Sequence, residues 1–158
     1  MSEIEVVDLQ RLMKADQKAQ VFLNGFVSTD PGTVELLSQQ LRPRDEDWAK
    51  VFVPDAIPRF QKYYQAMFHA DPKPIGRPSQ TKVRTFVAQA EQLISENPLS
   101  DRFPGGYKKV AHLFQPGSIW ISWKYTEPAK VIGMAYDGLV YLPDDRFVWF
   151  PKPWRAGT

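Results

Sequence analysis

Apolar and polar residues alternate through Ser118-Ile-Trp-Ile-Ser-Trp-Lys-Tyr-Thr126. The period of two sets Ile119, Ile121, Trp123 and Tyr125 on one side and Ser118, Trp120, Ser122 and Lys124 on the other, which predicts a strand. Glu127-Pro128-Ala129 breaks it, because proline brings no amide to a ladder. Lys130–Tyr136 then resumes extended structure rich in β-formers. Asp137-Gly138, between two apolar runs, predicts a type I′ hairpin, since both central residues of that turn need positive φ. Leu139–Leu142 would then fold back on Val131–Tyr136. Pro143-Asp144-Asp145 turns the chain again, Arg146–Phe150 forms the next strand, and Pro151 and Pro153 end a meander of about four strands.

Upstream the period lengthens. Ile57, Phe60, Tyr64 and Met67 or Phe68 fall at helical spacing, the strongest helical pattern in the chain, and core packing explains such a stripe better than a ligand groove. Asp30-Pro31 is a helix start, with Asp30 able to accept from open amides and Pro31 at a position where its missing amide costs nothing; Val34, Leu37 and Leu41 line that helix. Arg44–Phe52 begins another with acids in its first turn. A helix over about Glu3–Met13 is expected from Ile4, Val7 and Leu9 or Leu12, and the stretch 14–27 fits either a second helix or a turn region. Thr81–Val87 alternates with branched residues and predicts a strand, followed by a helix to about Glu96. Pro104-Gly105-Gly106 opens a helix with Tyr107, Val110, Ala111 and Phe114 inward.

The expected fold is therefore one α+β domain: a helical layer over about 1–70, a proline-rich connection at 71–80, and a mixed strand, helix and meander region over 81–155. N-terminal helices pack on the C-terminal antiparallel meander, which is joined by one strand near 81–87. A chain of 158 residues with 43% apolar content and 13% aromatics can build one real core, and splitting it at 71–80 would leave two marginal halves. The net charge of +2 is well short of a nucleic-acid footprint. No cysteine is present, which removes disulfides, thiolate metal sites and a thiol nucleophile. Met1-Ser-Glu-Ile-Glu carries acid where a secretory signal has lysine or arginine, so a cytoplasmic location is expected; export without a cleaved signal would leave no mark here.

Reaction chemistry is sparse. His69 and His112 are the two histidines, and with Asp71 they match no metal-ligand spacing, so no metal and no cofactor is expected. Pro116-Gly-Ser118 lacks the second glycine of a nucleophile elbow. Pro104-Gly-Gly-Tyr-Lys-Lys109 could offer amides and lysines to an anion, but it lacks phosphate-loop spacing, and glycines at a helix entrance have a structural use. Asp137, Asp144 and Asp145 lie where turns ordinarily use aspartate. No catalytic residue is assigned.

What remains is aromatics among cations: Trp120, Lys124, Trp149, Lys152, Trp154 and Arg155. Lids over the core are the commoner use of such rings. A binding face is the sharper reading, since Trp, Tyr and Arg are enriched at interface hot spots. The expectation is a non-catalytic cytosolic binding protein, an adaptor or inhibitor that engages another protein through this surface. The alternative is a small-ligand pocket or an enzyme site between the 104–115 helix and the sheet, built from Tyr107, Lys108, His112, Tyr136 and Asp137. Weak nucleic-acid binding ranks third, and no membrane partner is expected.

Overall fold

A computed structural model describes residues 8–27 and 30–157. Helix α1 (Leu9–Asn24) starts at Asp8, whose carboxylate accepts from the Arg11 amide at 3.1 Å. It runs straight through the polar stretch left open above, because Leu12, Ala15, Ala19 and Leu23 form its buried stripe. Residues 3–7 of the expected first helix lie outside the described residues. α2 (Pro31–Gln40) is capped by Asp30 with Pro31 in its first turn, as its sequence predicts. A short α3 (Trp48–Val51) and a longer α4 (Ile57–His69) follow, and α4 buries Phe60, Tyr64 and Phe68.

Four strands, β1 (Lys82–Gln89), β2 (Ile119–Thr126), β3 (Gly133–Tyr141) and β4 (Phe147–Trp149), form one antiparallel sheet in chain order. Between β1 and β2 the expected helix to Glu96 is instead a single 3-10 turn, Ala90–Leu93, after a strand that continues two residues further than predicted. The helix after Gly106 is α5 (Tyr107–Val110), continued by a 3-10 turn at Ala111–Leu113.

The hairpin expected at Asp137-Gly138 is absent. Trp123 pairs with Tyr136 and Ile121 with Leu139, so Asp137 and Gly138 together oppose Ser122 as a β-bulge inside one continuous strand. Gly138 does have positive φ, 87°, but the bulge uses it. The predicted strands at 131–136 and 139–142 are thus one, and the sheet has four strands rather than five. The reversals fall at Pro128 and at Pro143–Asp145, the latter as expected.

Both faces of the sheet are covered. Thr85, opposite Trp123, is hydrogen-bonded by α1 through Asp16 and Gln20, so α1 lies over the Trp123 face. On the other face Trp120 meets Phe114 at 3.9 Å, Tyr107 at 5.9 Å and Phe52 at 6.2 Å. Phe52 stacks on Phe60 at 4.0 Å and touches Phe150, which also meets Trp48 and Tyr64. The Val53 amide to the Leu113 carbonyl (2.9 Å) and the Gln115 amide to Val51 (2.7 Å) fasten the two segments that carry this aromatic block. α6 (Trp154–Gly157) closes the chain beside α4 and α5.

Candidate functional site

Asp137, at the bulge opposite Ser122, faces the Trp120 side of the sheet and is 6% exposed. Gly138 is required there. Besides its positive φ, a Cβ would collide with the Phe150 carbonyl. β4 holds the bulge from the outer side: the Phe150 amide donates to the Gly138 carbonyl at 2.7 Å, and the Trp149 indole N–H donates to the Asp137 carbonyl at 2.8 Å.

Asp137 Oδ1 accepts twice, from the Tyr107 hydroxyl at 2.7 Å and from the Lys152 amide at 2.8 Å. Lys152 takes φ 50°, a left-handed conformation that costs a residue with a side chain about 1 kcal/mol. Both donors are neutral, and no salt bridge reaches Asp137 among the described residues. Burial therefore raises its pKa above the usual 3.8, only partly offset by those two hydrogen bonds and by the charges of Lys152 and Arg155. Tyr107 is 1% exposed; burial, then the nearby Asp137 charge, keeps its hydroxyl protonated far into the alkaline range.

Asp137 lines a cavity of about 490 Å³ on this face, a volume suited to a small molecule. Lys124 from β2, Arg102 and Lys152 bring three cations to its wall, against Asp101 and Asp137. Phe86 and Trp154 bring rings, while the Tyr136 ring stacks on Trp123 on the opposite face of the sheet. The Ser122 hydroxyl donates to the Arg102 carbonyl at 2.8 Å, and the Arg102 guanidinium lies 5.1 Å from the centre of the Phe86 ring, so the 101–104 segment is anchored at both ends of the residue. Trp154 packs edge-on to Tyr107 at 5.7 Å, over Gly106, where a Cβ would strike the indole. Of the glycine pair at 105–106, Gly106 thus serves ring packing.

Residues from both candidate sets meet here. Lys124, Lys152 and Trp154 of the first join Tyr136 and Asp137 of the second, with Tyr107 beneath. Arg155 lines a separate shallow depression with Arg59 and Tyr63. Trp120 and Trp149 do not belong to a surface: they are 0% and 5% exposed, because the aromatic block and the bulge cover positions that alternation alone leaves outward. Lys108 turns away to pair with Glu96 at 3.0 Å, and His112 is exposed on the 3-10 turn. Sequence reasoning missed Arg102 and Phe86. Phe86 had left a signal, an aromatic on the otherwise charged side of Lys82 and Arg84; Arg102 had left none.

Such a site can hold a molecule with a hydrogen-bond donor at Asp137, a flat part against Trp154 or Phe86, and an anionic end toward Lys124, Arg102 and Lys152. Among the described residues no group of three or more His, Asp or Glu side chains is placed to hold a metal. No helix among them is long and apolar enough to cross a membrane. Neither the family models nor the curated proteins nor the solved structures compared with this chain match it.

Proposed function

We propose that this chain is a non-catalytic small-ligand-binding protein whose ligand is a flat organic anion carrying one hydrogen-bond donor. The observation that carries the reading is Asp137, a buried carboxylate with no bridging cation among the described residues, at the wall of a cavity that three cations share. A buried charge left without a partner weakens the fold, and groups kept at such a cost concentrate where a ligand needs them. The bulge and the left-handed Lys152 point the same way, since both devices re-aim groups toward sites. We place the protein in the cytoplasm, where a chain without cysteine loses nothing to reducing conditions.

The test is a thermal-shift titration with small aromatic carboxylates and nucleoside monophosphates. A ligand at a hundredfold excess over its Kd adds about 2.7 kcal/mol, which raises Tm by about 5 °C or more in a chain of this size. Asp137→Asn and Lys124→Ala should each abolish most of that shift. A panel without a binder at millimolar concentration, or shifts that both variants retain, would refute the proposal. The raised proton affinity of Asp137 also suits acid–base chemistry, and this favours an enzyme as the second reading. Recovery of a panel member chemically altered would establish it.

A further inference from the structure

A larger concavity lies elsewhere, between α1, α2 and the turn before β4, with a volume of about 820 Å³. Phe22 and Phe147 form its floor, their rings 5.2 Å apart, and Val21 stands at the rim 78% exposed. Four cations line it, Lys18, Arg42, Arg44 and Arg146, against one carboxylate, Asp145. Three of the four are held in place. Arg42 bonds Asp71 at 2.8 Å, Arg146 bridges Asp47 and Asp144, and Lys18 lies 3.5 Å from Asp145. Arg44 is exposed and makes no ion pair among the described residues.

We infer that this groove is a docking site for an acidic amphipathic segment of another protein. The segment's apolar side chains would cover Val21 and the Phe22–Phe147 floor, and its carboxylates would meet Arg44 first and the fixed cations around it next. An apolar floor inside a cationic rim is the complement of an acidic helix laid in a groove. Nucleic acid fits less well. The rim cations already face Asp71, Asp47, Asp144 and Asp145, which repel a run of phosphates, and the two floor rings pack on each other where stacking would need them splayed. Arg44 alone of the four has no carboxylate partner among the described residues, so the rim suits a few carboxylates placed around it better than a continuous run of phosphates.

The inference is independent of the Asp137 cavity and is tested separately, by fluorescence anisotropy in 150 mM salt. The probes are labelled synthetic 15-residue peptides with Leu or Phe at i, i+3, i+4 and i+7 and Glu or Asp between, beside versions with Lys for every acid and an oligo-dT of matched length. Acidic amphipathic members should bind with Kd near or below about 10 µM, and Lys18→Glu with Arg44→Glu should weaken them at least about tenfold while the lysine peptides gain. Neither substitution removes a side chain that meets Arg146 or Asp47, and the Arg44 amide that donates to Asp47 is kept, so the fold should stay intact by circular dichroism, and Val21→Glu gives a second probe of the same rim. Three results would overturn the inference: no acidic peptide bound below about 100 µM, binding indifferent to all these variants, or oligo-dT bound more tightly than every peptide. Self-association of the protein that buries Val21 would assign the groove to a second copy and overturn it equally.

Discussion

Asp47 and Asp137 are both buried carboxylates, and the fold treats them in opposite ways. Asp47, 0% exposed, accepts from two nitrogens of the Arg146 guanidinium and from the Arg44 amide at 2.8 Å, with Lys50 at 3.8 Å. Its charge is met by charge, and Arg146 in turn is held protonated far above the usual range, first by Asp47. Asp137 receives a phenol and an amide, both neutral, and keeps a raised pKa. One carboxylate ties β4 to the segment before α3. The other is tolerated by a structure that would be better off without its charge, and that asymmetry is what the proposed binding role of the cavity rests on.

The comparison can be broken from either end. The largest effect is expected from Asp47→Ala, which strands a guanidinium and unties the Arg44 amide: about 3–5 kcal/mol lost, or roughly 10 °C in Tm, read by thermal or urea unfolding. A loss under about 1 kcal/mol would mean that the pair is ornamental. Next comes Asp137→Asn, which keeps an oxygen for Tyr107 and Lys152 and removes only the charge; it should raise Tm at neutral pH. The sign follows from linkage. The folded pKa lies above the ordinary 3.8, so between those values the folded state binds more protons and wild-type stability falls as pH rises through the window. The advantage of the asparagine variant should be complete above the window and close as pH falls toward 3.8. An advantage that persists at acid pH, or a loss of stability at neutral pH, would contradict the assignment. The smallest effect belongs to Trp154→Ala with Arg155→Ala, which removes one ring contact and an exposed cation: about 1 kcal/mol in stability and most of any ligand-induced shift. Unfolding of that variant would make the tail part of the core.

Much of the fold is written in period and caps. Strand β2, the 82–89 strand, α4 and the Asp30-Pro31 start of α2 all follow from residue spacing. α1 was harder to read because its buried stripe is mostly alanine, which carries little hydrophobic contrast. The Asp137-Gly138 error has a local cause: a tight turn and a bulge ask for the same positive φ, and only the pairing of Leu139 with Ile121 decides between them. Trp120 and Trp149 were misplaced for a different reason. Alternation shows that a strand has two different faces, but whether the second face is covered depends on segments 60 or more residues away, such as Phe52 and Phe68. The site was legible as two partial lists. That Lys124, Lys152 and Trp154 would meet Asp137 depends on where the chain after β4 is laid beside the sheet, which no stretch of sequence announces.

The bulge also records a change of phase. Before it, Tyr136 shares a face with Trp123; after it, Leu139 shares that same face with Ile121, although an odd number of steps separates the two residues. The alternating pattern of β3 is therefore written in two frames, with one surplus residue between them. Loss of a residue elsewhere in the strand would turn the side chains beyond it to the wrong layer, whereas loss of Gly138 would leave a regular ladder with every apolar residue still facing its layer. The surplus residue is thus one that the alternation of the sheet does not need, and it sits beside Asp137 at the wall of the cavity.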